Sequence, residues 1–111
     1  MSFSTTKSSG GVIIIACPKQ VTVNNSDGLK NIFEEFVTAG MYKFVVDLTK
    51  TKYVDSSGLG AVVSRIAITR SNKGDVKIAT AIPEIITLLD VTNLNKIVKC
   101  FDNVSTAISG F

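Results

Sequence analysis

A chain of 111 residues suits one domain with one core, and with 45% hydrophobic residues burial can offset chain entropy without disulfides. The net charge of +3 comes from twelve scattered Lys and Arg, which argues against a nucleic-acid interface, where cations gather on one face with aromatics between them. The sequence contains no histidine, which removes the commonest general base, the commonest metal ligand and every Ser-His-Asp arrangement. No enzyme, cofactor or metal site is therefore expected.

Cys17 and Cys100 each end an apolar run and read as two small buried thiols in a reducing compartment, since their separation gives no metal spacing and no disulfide framework. Met1 to Gly10 is polar and lacks a signal-peptide apolar core. The longest apolar run, Val12 to Cys17, is too short to cross a bilayer. These features lead us to expect a soluble, cytoplasmic protein without membrane insertion, forming a single domain over residues 1–111.

Taken in order, Ser2 to Lys7 alternates and is Thr-rich, either an edge strand or a frayed terminus within residues 1–10. Ser8-Ser9-Gly10-Gly11 signals a turn, and Val12 to Cys17, β-branched on both faces, reads as a strand covered on both sides. Pro18 ends it, and Val21 and Val23 suggest a short extended segment. Asn24, Asn25 and Ser26 are candidate N-caps for an amphipathic helix carrying Leu29, Ile32, Phe33, Phe36 and Val37, closed by Ala39-Gly40. Met41 to Leu48 is the next strand. Asp47, near its carboxyl end, reads first as a partner for the backbone of the following turn, and second as a ligand group.

A polar loop, Thr49 to Lys52, then leads to Val54-Asp55-Ser56-Ser57-Gly58-Leu59-Gly60 and a helical pattern from Leu59 to about Arg70. Leu59, Val62, Val63, Ile66, Ala67 and Arg70 are expected to face the sheet. Ala61, Ser64, Arg65, Ile68, Thr69 and Asn72 are expected to face outward. Lys73-Gly74-Asp75 is a turn, Val76 to Ala79 a strand, and Ile82-Pro83-Glu84 opens a helix with Ile85, Ile86, Leu88 and Leu89 on its apolar face. Val91 to Asn95 reads as a loop, Lys96 to Phe101 as a short strand, and Asp102 or Asn103 as the cap of a last helix with Val104, Ala107 and Ile108 inside. The alternation predicts an α/β fold: four or five strands in a mixed, largely parallel sheet, with about four helices.

The Asp55 to Gly60 stretch places small hydroxyls where a strand hands over to a helix, whose first turn has unpaired N–H groups and partial positive charge. On composition alone it reads as helix capping, with Gly58 and Gly60 letting the helix pack closely. It lacks the spacing of a phosphate-binding Gly-Lys-Ser/Thr loop and of Gly-x-Ser-x-Gly.

The longer pattern, Val-Asp-Leu at 46–48 followed by Val-Asp-Ser-Ser-Gly-Leu-Gly at 54–60, resembles the STAS domain of bacterial anti-sigma factor antagonists. Leu88 to Val98 is similar to that family's Leu-Leu-x-x-Thr-x-Leu-x-x-Ile-Phe segment, and Phe101 to Ile108 to its Phe-Asp-x-Val-x-x-Ala-Ile ending. The resemblance spans Val12 to Ile108. It implies that Ser56 is phosphorylated by an anti-sigma factor with serine kinase activity. The unphosphorylated chain would bind that factor and release a sigma factor, and a serine phosphatase would reverse the modification. Asp55, Ser57, Gly58, Leu59, Ala61, Ser64, Arg65 and Ile68, with Thr22, would form the partner surface. One departure stands out: Lys19-Gln20-Val21-Thr22 replaces the family's Gly-x-Leu/Ile-Asp and lacks its acid. The resemblance leaves open an alternative, an unphosphorylated STAS adaptor subunit of a lipid-transport ABC or stress-signalling complex. A weak nucleotide hydrolase using Asp47, Asp55 and Ser56 is the minor reading.

Overall fold

The β-branched runs become the inner strands of a five-stranded sheet. The computed structural model describes residues 2–111, and Met1, the first residue of the expected terminal segment, lies outside them. Ser4–Lys7 (β1) is the edge strand and pairs antiparallel with Ile13–Ala16 (β2). Lys43–Asp47 (β4), Asp75–Ala79 (β6) and Cys100–Phe101 (β7) then continue from β2 in parallel, in the order β1-β2-β4-β6-β7. A second sheet of two short parallel strands, Gln20–Val21 (β3) and Tyr53–Val54 (β5), lies apart from it.

Alternation along the strands divides the core in two. Ile13, Ile15, Phe44, Val46, Val76 and Ile78 point to the larger side, where Ser26–Thr38 (α1), Ser56–Val63 (α2), Ile66–Ser71 (α3) and Pro83–Val91 (α4) pack. Phe33 of α1 meets Phe44 edge to face with ring centroids 4.9 Å apart. Complete burial of each such side chain contributes roughly 1.5–3 kcal/mol. The opposite face has one short helix, Val104–Ser109 (α5), which covers Val12, Val45 and Ala79 with Ala107. Asn103 caps α5 by accepting the Thr106 amide at 2.8 Å.

The structure corrects several expectations. The helix expected to run from Leu59 to Arg70 is two helices, α2 and α3, broken at Ser64–Arg65. The Ser64 amide and hydroxyl both donate to the Ala61 carbonyl, at 3.3 and 2.7 Å. That carbonyl is the acceptor a continuing helix would offer to Arg65, and such back-bonding bends helices. The break resets the phase: Ala61 and Thr69 are fully buried, whereas Ala67 and Arg70 are exposed. The strand expected from Lys96 contracts to Cys100–Phe101, preceded by a single 3-10 turn at Leu94–Lys96. Cys17 is buried as expected, but Cys100 is exposed on the sheet's far edge. Lys77, with a strand's apolar residues on either side, is itself buried.

Candidate functional site

The carboxyl ends of β2 and β4 carry the loops that build the site. Asp47 accepts the Thr49 amide at 2.9 Å and its hydroxyl at 2.6 Å, so it serves the turn as first read. Thr51 donates its hydroxyl to the Pro18 carbonyl, and the Lys52 and Tyr53 amides both donate to the Lys19 carbonyl. These bonds lay β5 alongside β3 and fix the point where α2 begins.

At that point Asp55 holds the N-cap position. One carboxylate oxygen accepts the Gly58 amide at 2.8 Å and the other accepts the Val23 amide at 2.9 Å. The same side chain thus caps α2 and ties it to the loop after β3. These amides, Gly58 first and Val23 second, hold the Asp55 carboxyl below the usual carboxylate range. Asn25 completes the loop: its side-chain oxygen accepts the Thr22 amide at 2.8 Å and its amide donates to the Gln20 carbonyl at 2.8 Å. It therefore staples the loop and does not cap α1 with its side chain.

Gly58 is needed for this seat. A Cβ there would fall 2.1 Å from the Val21 carbonyl oxygen, so α2 can rest on β3 only through a glycine. Gly60 was expected to share this task and does not, since a Cβ there would meet nothing within 4 Å. Ser56 is exposed as the first residue of α2, and Ser57 is half-buried.

Of the residues expected at a partner surface, Asp55, Ser57, Ser64, Arg65 and Ile68 retain accessible atoms, with Ile68 42% exposed. Arg65 is held by Glu34 of α1, with nitrogen–oxygen distances of 3.1 and 2.9 Å. Gly58, Leu59 and Ala61 are buried and seat the helix, so their side of α2 is closed to a partner. Thr22 is buried as well, and its hydroxyl accepts the Asn24 amide. Two residues not anticipated take their place at the rim: Val23 is 68% exposed and Tyr53 56% exposed. Val23 follows a strand that ends at Val21, so the alternation that suggested an inward position stops one residue too early. Lys19 and Lys52 stand exposed on the same ledge, joined by the bond from the Lys52 amide to the Lys19 carbonyl.

Among the described residues no cluster of His, Cys, Asp and Glu could hold a metal ion, and no helix is long and apolar enough to cross a membrane. The arrangement offers an accessible alcohol on a capped helix end, with a mixed apolar and basic rim.

Comparison with known proteins places this geometry. The sequence model of the STAS domain matches residues 4–107. A protein of Thermotoga maritima provisionally named an anti-sigma factor antagonist is 29% identical over 98 residues, 87% of each chain. The anti-sigma F factor antagonist of Paenibacillus polymyxa is 26% identical over 100 residues, 89% of this chain and 86% of that one. The crystal structure of a Thermotoga maritima protein with the same provisional name superposes with a TM-score of 0.89 at 27% identity, covering 97% of this chain and 92% of that one. Unphosphorylated SpoIIAA, an anti-sigma factor antagonist, shares the fold, with a TM-score of 0.78 at 14% identity over 98% of this chain and 96% of that one.

Proposed function

Because the chain belongs to the STAS domain family, we propose that it is an anti-sigma factor antagonist switched by phosphorylation of Ser56. In this reading it is a regulatory binding protein and not an enzyme. The unphosphorylated form binds an anti-sigma factor with serine kinase activity, and a serine phosphatase restores that form after modification.

The observation that carries the reading is the position of Ser56, exposed as the first residue of α2 and next to a carboxylate already bonded to that helix end. A phosphate adds almost two negative charges. Here Asp55 occupies the Gly58 amide, so the new charge finds its nearest donor taken and an anion beside it. The phosphate therefore projects toward solvent and toward whatever packs there, while the scaffold stays as it is. Repulsion and desolvation at the partner's surface do the switching.

The ledge indicates what the partner presents. Lys19 and Lys52 stand where the family's acid would be, beside the exposed Val23 and Tyr53. A partner with carboxylates around an apolar centre complements that surface, and a phosphate on Ser56 would repel those same carboxylates.

The test compares the parent, Ser56→Ala and Ser56→Asp in pull-downs from the native cell extract and in labelling by the captured kinase. Ser56→Ala should bind like the parent and take up no phosphate. Ser56→Asp should bind about twenty-fold more weakly, equivalent to about 1.8 kcal/mol. Equal labelling of the parent and Ser56→Ala would show that the modified residue lies elsewhere.

A further inference from the structure

We propose that the cavity at the amino ends of the strands, at the opposite end of the sheet from Ser56, binds a small organic anion carrying two or more negative charges, such as a phosphate ester. The cavity has a volume of about 310 Å³. Three cations line it from three separate elements: Lys7 at the end of β1, Lys43 at the start of β4, and Lys73 in the turn between α3 and β6. Strand register gathers them, since Lys7 lies opposite Ile13, Ile13 opposite Phe44, and Lys43 opposite Asp75.

None of the three has a carboxylate within ion-pair distance among the described residues, and no acidic residue lines the cavity. The carboxylate at this edge, Asp75, is already held by Arg70 at 2.9 Å and Lys77 at 3.5 Å. The charge left over is therefore positive, in a chain whose other basic groups are scattered.

The backbone supports the assignment independently. Lys73 adopts a left-handed conformation, φ +65°, at the exit of α3. Glycine or asparagine takes that position without the steric cost a lysine incurs. The helix exit alone gives no reason for a lysine, whereas an anion in the cavity does. Gly10 is similar: it has no positive φ, and a Cβ there would come no closer than 3.9 Å to its neighbours, so the fold does not require a glycine. A bare backbone at the mouth lets a ligand approach closely. The half-buried Met41 and Tyr42 supply an apolar wall, which suits an organic anion better than a bare inorganic ion.

The experiment is an amide NMR titration of the full chain at constant ionic strength, with glycerol 2-phosphate, citrate and chloride as probes. Saturable shifts confined to Gly10, Gly11, Gly40 and Gly74 with at least one of the two organic anions, and none with chloride, are expected. Saturation by glycerol 2-phosphate alone assigns a phosphate site, and saturation by citrate as well assigns a general polyanion site. The pair Lys43→Gln and Lys73→Gln, both at exposed positions, should keep a dispersed spectrum and weaken binding at least tenfold. Shifts centred on Ser56 to Gly58, shifts that grow without saturating at every lysine, or binding unchanged in the variant would each overturn the assignment. None of these readouts depends on whether Ser56 is phosphorylated.

Discussion

The Asp55 carboxylate accepts a hydrogen bond from the amide of Val23, 32 residues earlier in the chain, at 2.9 Å. With its other oxygen on the Gly58 amide, it joins the start of α2 to the loop that precedes α1. This pair of bonds gives the first prediction. The folded-state carboxyl titrates below its ordinary value of 3.8, so its contribution to stability is complete above that value and is lost as pH falls through the folded one. Asp55→Asn should lower the melting temperature at neutral pH. The gap to the parent should close below about pH 4, where the unfolded carboxyl is protonated. Melting curves from pH 2 to 7 check this; a gap that persists unchanged to pH 2 would mean that the charge has no role.

Gly58 and Gly60 make an opposed pair. At Gly58 an added methyl collides with the Val21 carbonyl, so Gly58→Ala should destabilise the fold by about 3 kcal/mol. At Gly60 the methyl enters open solvent, and Gly60→Ala should stabilise α2 by roughly 0.5–1 kcal/mol. Gly60 also sits one helical turn from Ser56, on the same side of α2. The same substitution should therefore slow phosphorylation of Ser56 and weaken partner binding while raising the melting temperature. Thermal melts set beside kinase labelling separate the two effects.

Lys19 and Lys52 bear on how fast a partner arrives. If the ledge guides a partner with acidic groups, Lys19→Glu together with Lys52→Glu should reduce the association rate about tenfold at low salt. The difference should shrink as ionic strength rises, with little change in melting temperature. Stopped-flow association at two salt concentrations reads both features.

The buried Lys77 gives a stability prediction. Its ammonium lies 3.5 Å from Asp75 and over the rings of Phe111 at 4.7 Å and Phe101 at 5.9 Å. Burial alone would push the Asp75 carboxyl up. The hydrogen bond from Arg70, the Val76 amide and the nearby cations outweigh it, and the carboxyl stays below its usual range. Removing that anion strands a buried cation, so Asp75→Asn should cost about 3 kcal/mol. Lys77→Met keeps the volume and removes the charge, and should be close to neutral. Urea unfolding of the two variants and their combination measures the coupling.

The layering of the fold was readable because burial on both faces writes continuous β-branched runs. Val12 to Cys17 and Phe44 to Val46 could hardly be anything but inner strands. The site's chemistry was readable too, since Asp55 and Ser56 stand at a strand-to-helix junction marked by small polar residues. The orientation of α2 and α3 was not. A single hydroxyl, that of Ser64, takes the carbonyl a longer helix would use, and one changed hydrogen bond rotates every later residue. Apolar periodicity has no means of registering such an event. The two-residue strands β3 and β5 escaped for a related reason, being too short for alternation and held largely by backbone bonds to Lys19. Nor could local pattern reveal Lys77, whose partners Phe101 and Phe111 lie far along the chain.

The two thiols give the last prediction. Burial, and then the charge of Asp47, push the Cys17 thiol up to about 12. Almost none of it is thiolate at pH 8, and no reagent can reach it in the folded protein. Cys100 is raised as well, by partial burial and by Asp90, but its sulfur is accessible. Iodoacetamide at pH 8 should therefore modify Cys100 slowly and leave Cys17 intact until the protein unfolds. Because Cys17 follows β2, in the middle of the main core, its labelling rate under weak denaturant should track global unfolding. Peptide mass spectrometry after timed labelling reads both sites at once. Modification of Cys17 in native buffer, at a rate near that of Cys100, would mean that the end of β2 opens on its own.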